Sequence, residues 1–162
     1  MESLIDTELA FATFLQTLKS SGPRAALAYL LKLTDYRFIA IFRFQDGMAT
    51  AALFYDRENP EIQRTDEVPA TATYCCYARD ARGVFTTANA LLDPRLTTHV
   101  AREAVQTYCG IPVMTAEGDI LGTLCHYDTV PRDPDQIDLS LMLQVASALE
   151  QSHLIPDYPK AA

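Results

Sequence analysis

Two short turns, each flanked by apolar stretches, constrain this chain more than any other feature. Asp46-Gly47 separates residues 37–44 from residues 48–55, and Ala116-Glu117-Gly118 separates residues 107–114 from residues 119–127. An Asp-Gly pair favours a two-residue hairpin, because that turn demands positive φ angles. A three-residue loop with glycine at its left-handed position is another recognised hairpin form. The strands of the first hairpin are apolar on both faces over much of their length. That pattern belongs to a sheet covered on both sides, here by helices.

The helices are legible from their periodicity. Residues 2–20 place Leu4, Ile5, Leu9, Phe11, Phe14, Leu15 and Leu18 close to a 3.6 repeat. Ser21-Gly22-Pro23 stops that helix and starts another, with Pro23 at a favourable first position. Residues 135–153 read as a long amphipathic helix that Asp133 or Asp135 could cap. Between the hairpins, residues 56–69 read as a long loop, 70–81 as a short helix, 83–87 as a brief strand and 98–106 as one more short helix. The order predicts an α+β fold with an antiparallel central sheet and helices on both faces, the two terminal helices sharing one face. The expected organisation is an N-terminal helix over 1–21, a domain over 22–153 that includes the long last helix, and a flexible tail over 154–162.

A second hairpin centred on Glu117 sets Cys109 opposite Cys125 and Ile111 opposite Thr123. Side-chain alternation then gathers Cys109, Ile111, Thr123, Cys125 and Tyr127 on one face, with Gly110, Gly122, Leu124 and His126 on the other. Two thiols facing each other suggest either a redox pair or two small side chains under a helix. A slip of one residue would undo this grouping.

Charge removes whole classes of function. Thirteen Lys and Arg against twenty-one Asp and Glu give a net charge of −8. A phosphate-binding groove needs a basic field, so nucleic acid is excluded as a partner, and anionic membrane is disfavoured. The chain lacks a 20-residue apolar run and a basic-then-apolar leader at its start, which points to a cytoplasmic protein. Cys75, Cys76, Cys109 and Cys125 form no zinc-ligand spacing, so no metal is expected.

Several ordered motifs resemble those of the GAF domain family. They are Tyr108-Cys109-Gly110-Ile111-Pro112-Val113, the turn Gly118, Leu121-Gly122-Thr123-Leu124-Cys125-His126-Tyr127-Asp128, and Pro131-Arg132. Thr73-Tyr74-Cys75 and Asn89-Ala90 followed by Asp93-Pro94-Arg95-Leu96 extend the resemblance upstream, so that it runs from about Gly22 to Gln151. It implies a GAF/PAS-like sheet of five or six antiparallel strands. It also implies a sensory module whose relatives bind cyclic nucleotides, tetrapyrroles, other small molecules or nothing known, and often dimerise through their terminal helices. By that analogy an unknown small molecule lies between one sheet face and residues 73–95. The candidate ligand-binding residues are Tyr74, Tyr77, Asp93, Arg95, Cys109, Ile111, Thr123, Cys125 and Tyr127. Tyr74 and Tyr77 could stack on a planar ligand, and Arg95 could hold an anionic group. Asp128 and Arg132 are expected to pair and hold the turn into the last helix. Gly110 and Gly122 are expected to admit a helix against the sheet, and Pro112 to mark an edge or a bulge.

The leading expectation is a stand-alone sensory module without catalytic output, acting as a homodimer through its terminal helices or on a separate signalling protein. The alternatives are a thiol-redox protein using Cys109 and Cys125, akin to the sulfoxide reductases of the family, and a ligand-free dimerisation module. No cofactor is identified by the sequence, and the pattern of cyclic-nucleotide-binding phosphodiesterase GAF domains is absent.

Overall fold

The computed structural model describes residues 2–155, with side chains from residue 6 onward. Both glycine turns form. At the first, Asp46 and Gly47 take φ angles of 53° and 76°, as a two-residue hairpin turn requires. It joins β1 (Phe38–Gln45) to β2 (Met48–Asp56). At the second, Gly118 takes a φ of 86° and its N–H donates to Thr115 O. It joins β5 (Thr107–Met114) to β6 (Ile120–Asp128). β1 and β6 pair antiparallel at the centre. Two short edge strands, β3 (Val68–Pro69) and β4 (Phe85–Thr87), complete a six-stranded sheet of order β3-β2-β1-β6-β5-β4.

Helices α1 (Glu2–Ser21), α2 (Pro23–Lys32) and α4 (Leu139–Gln151) cover one face of this sheet. Phe14, Leu27, Leu30, Leu31, Val145 and Leu149 there enclose Ile39, Ile41, Ile111 and Leu124 in one buried cluster. The second face carries Ala40, Phe42, Tyr108 and Cys125, covered by the short helix α3 (Cys75–Ala81) and by irregular chain. Burial on both faces explains why the central strands lack a polar stripe.

Local readings are corrected in four places. The last helix is capped by Asp138, whose carboxylate accepts from Leu141 N–H at 3.1 Å. Asp133 instead caps the 3-10 turn before it. Residues 98–106 form turns, not a helix, because His99 Nδ1 accepts the Ala101 N–H at 3.0 Å and diverts it from a helical carbonyl. Residues 70–81 divide into a 3-10 turn and α3, separated by extended Thr73. Neither strand glycine admits a helix. A Cβ on Gly122 would lie 1.7 Å from Phe42 O of the neighbouring strand, and one on Gly110 would meet the Tyr108 ring.

The largest correction concerns register. Pairing is centred on Glu117 as far as Met114–Ile120, but an extra residue at Leu121 bulges β6. Beyond it Val113 pairs with Gly122, Ile111 with Leu124 and Cys109 with His126. A bulge leaves one residue unpaired and offsets every later pair by one. Cys109 and Ile111 therefore join the helix-covered face, whereas Thr123, Cys125 and Tyr127 stay on the other. Cys109 does not oppose Cys125, and the expected thiol pair is not formed.

Candidate functional site

The second face holds a cavity of about 290 Å³. Phe42 of β1, Tyr108 of β5 and Tyr127 of β6 line it from the sheet. Tyr74 and Cys75 come from the start of α3, Thr65, Asp66 and Val68 from the stretch before it, and Ala101 and Val105 from the turns before β5. The lining includes one carboxylate, Asp66, and no Lys, Arg or His. A mainly apolar wall with a few polar atoms is the usual make-up of a small-molecule site.

The aromatic walls hold one another in place. Tyr127 stacks on Phe38 with centroids 4.7 Å apart and planes 17° apart. Tyr74 and Tyr108 meet edge-on at 5.6 Å. The Tyr74 hydroxyl donates to Val105 O at 2.8 Å, which ties α3 to the chain entering β5. Gly110 leaves room for the Tyr108 ring to fold along its own strand. The Tyr108 hydroxyl thereby reaches Cys75 Sγ at 3.3 Å.

Around that sulfur lies a group of four side chains. Burial alone would push the Cys75 thiol up, but hydrogen bonding from Cys125, with smaller contributions from Thr123, Tyr108 and Thr73, brings it down to about 7. Cys125 is pushed well up, first by burial and then by its neighbour Cys75. The buried Thr123 hydroxyl has no hydrogen bond of ordinary length and angle, although it belongs to this group. The other two thiols differ. Burial pushes Cys109 up to about 12, and it raises Cys76, whose sulfur donates to Thr73 O. All four cysteines are free and buried.

The structure thus divides the nine candidate residues. Tyr74 and Tyr127 line the cavity, and Thr123 and Cys125 lie behind its sheet wall. Tyr77 shares a face with Tyr74, as expected, since both rings meet Phe85 and His99, but it stacks on Phe85 and is not part of the wall. Arg95 sits over the Phe85 ring, its guanidinium 4.6 Å from the centroid. It also donates to Asp93 at 2.6 Å and to Thr86 O at 2.7 Å, which leaves it committed to the fold. Hydrogen bonds from the Arg95 side chain and backbone N–H hold the Asp93 carboxyl well below the usual carboxylate range. Cys109 and Ile111 face the terminal helices.

Sequence reasoning missed Phe42, Cys75 and Tyr108. One signal could have found Cys75: it stands three residues before Ala78, and both are buried on α3. The expected pair of Asp128 and Arg132 is present at 2.9 Å. Asp128 also accepts the backbone N–H groups of Arg37 and Thr129 at 2.9 and 2.7 Å, so it joins the ends of β1 and β6. Among the described residues no cluster of His, Cys, Asp and Glu could hold a metal ion.

A family model described as GAF domain matches residues 24–152. The chain belongs to the GAF domain family. Its fold is that of the GAF domain from an Acinetobacter phosphoenolpyruvate-protein phosphotransferase, at a TM-score of 0.69 and 14% identity over 91% of this chain and 93% of that one. It is equally similar in fold to a free methionine-R-sulfoxide reductase from Neisseria meningitidis, solved with its substrate, at a TM-score of 0.69 and 13% identity over 90% and 86% of the two chains. A cyclic di-GMP phosphodiesterase of Pseudomonas aeruginosa is 42% identical over 71 residues, which make up 42% of this GAF protein. The match spans 12% of that relative's length. Among the described residues no helix is long and apolar enough to cross a membrane.

Proposed function

We propose that this GAF domain is a sensory module that holds a small, planar, largely apolar molecule in the second-face cavity. The carrying observation is that cavity: about 290 Å³, four aromatic residues in its wall, and no Lys or Arg. The absence of a base from its wall favours a neutral or cationic ligand over an anionic one. The signal has a physical route. Tyr127 and Cys125 face the ligand side, whereas their neighbours His126 and Leu124 are buried on the helix side. A shift of β6 is therefore felt by the terminal helices, because packed cores transmit strain. The family's sensory character supports a regulatory module.

Native mass spectrometry of the purified chain tests this reading. A non-covalent adduct of metabolite mass, released by denaturation, is the expected result. Bare protein from every expression host and no adduct with any added metabolite pool would overturn it.

Self-association is the second part of the proposal. Leu9 and Leu15 of α1 and Leu143 of α4 are exposed, at 62%, 41% and 53%. Apolar side chains on helices at one side of a domain suit a second copy of the chain. Light scattering of the full chain and of a Leu9→Glu, Leu143→Glu variant tests this. A dimer that the variant abolishes is expected, and a monomer in both would sink it.

A further inference from the structure

The second-face cavity has two unlike sides. Phe42, Tyr108 and Tyr127 line it from the sheet and Tyr74 from the start of α3, whereas Thr65 and Asp66, neighbours in the chain, belong to the stretch that covers it. The Thr65 hydroxyl is shut off from solvent and has no hydrogen-bond partner among the described residues. An unpaired buried hydroxyl costs free energy, which a bound group that pairs with it recovers. The wall's other hydroxyls are largely engaged: Thr73 donates to Ala70 O at 2.7 Å, Tyr74 to Val105 O at 2.8 Å and Tyr108 to Cys75 Sγ at 3.3 Å. A ligand therefore meets Tyr74 and Tyr108 through their rings. Two bases come near without joining the wall. Arg64 precedes Thr65 and is exposed, and Arg102, whose charge reaches Tyr74, donates to Leu91 O at 3.0 Å.

We propose that the cavity selects an organic ammonium ion, with a flat apolar body against the aromatic side and one protonated amine at Thr65 and Asp66. This rests on the cavity being the ligand site, and it adds the charge and the orientation of the occupant. An amine N–H donates to Thr65 Oγ1 and ends that atom's isolation. The positive charge is attracted by the Asp66 carboxylate and by the tyrosine rings, whose faces carry negative potential. Asp66 is exposed, so solvent screens its attraction and holds its share to a few-fold in affinity. The hydroxyl and the rings supply the larger share, because they act away from solvent. An anion finds no base in this wall, and a neutral molecule gains nothing from Asp66.

The test is isothermal titration calorimetry of the full, adduct-free chain with three probes that share one ring: tryptamine, tryptophol and indole-3-acetate, respectively a cation, a neutral alcohol and an anion. Tryptamine should bind roughly tenfold more tightly than tryptophol, and indole-3-acetate most weakly. Asp66→Asn should weaken tryptamine roughly threefold and leave tryptophol unchanged. Thr65→Val should weaken tryptamine roughly fivefold, and Thr65→Ser should restore it. Ala72→Phe, which fills the cavity, should abolish binding of all three. Tryptophol or indole-3-acetate binding as tightly as tryptamine, yet lost in Ala72→Phe, would overturn the ammonium proposal and leave the cavity as the ligand site. Tryptamine binding that survives in a folded Ala72→Phe protein would overturn both. No binding of any probe at millimolar concentration would overturn the ammonium proposal, while the resident adduct still decides the cavity reading. The ranking on the unsubstituted chain decides the matter, so a variant that fails to fold does not rescue it.

Discussion

The two faces of one sheet differ in how they are closed. On the first, three helices bury an aliphatic layer around Ile39, Ile41, Ile111 and Leu124. Helices present regular ridges, and regular ridges fill space to near crystal density. On the second, a single seven-residue helix and irregular stretches cover Phe42, Tyr108 and Tyr127. Irregular chain does not interdigitate with a sheet in the same way, and bulky rings leave a gap between them. A stable scaffold and a binding cavity thus come from the same six strands, divided by side-chain alternation.

The comparison can be broken first at the seam between the faces. Gly122 sits where β6 crosses closest to β1, and a Cβ there meets backbone, which cannot move aside. Gly122→Ala should cost more than about 3 kcal/mol in urea unfolding, and a loss under about 1 kcal/mol would mean that the strands can separate locally. Next comes the junction at Asp128, 2% exposed, with four donors on its carboxylate. Asp128→Ala leaves those donors unpaired and should cost about 3 kcal/mol by the same measurement.

The closed face makes its own prediction through His126, which is buried with its Nε2 unpartnered. Burial lowers its pKa to about 3. The unfolded imidazole titrates near 6.5, so below that pH the unfolded state binds the extra proton. Stability from this residue is therefore complete above about pH 6.5 and is lost as pH falls toward 3, with a slope approaching 1.4 kcal/mol per pH unit. His126→Leu should flatten that part of the stability-against-pH curve. An unchanged slope would show that His126 carries its proton in the fold. The smallest effect belongs to Arg95, whose side chain is 55% exposed. Arg95→Ala should cost about 1 kcal/mol, from its ring contact and a half-exposed ion pair, and should leave ligand occupancy unchanged.

Much of the scaffold was legible because local chemistry decides it. The glycine turns, the helix restart at Pro23 and the apolar ends of the chain each depend on a few neighbouring residues. The site was less legible for a different reason. A single bulged residue, Leu121, moved Cys109 and Ile111 to the opposite face, next to the point where β6 comes closest to β1 at Gly122. No turn signal in the sequence reports that fit. Tyr74 and Tyr127, which the motifs carry, line the cavity, whereas the walls from Thr65 to Thr73 have no periodicity to read. Arg95 lies outside the cavity lining because it engages Asp93, Thr86 and Phe85, partners that meet only after folding.

Ligand occupancy in paired variants, one on each face, tests the central division most directly. Native mass spectra would be compared for the unsubstituted chain, for Ala72→Phe, which fills the cavity, and for Val145→Ala, which loosens the helix-covered core. The division predicts that Ala72→Phe loses the adduct while remaining folded, and that Val145→Ala keeps it despite losing about 1–2 kcal/mol of stability. An adduct that survives Ala72→Phe, or one that disappears only in a folded Val145→Ala protein, would place the ligand elsewhere and contradict the account.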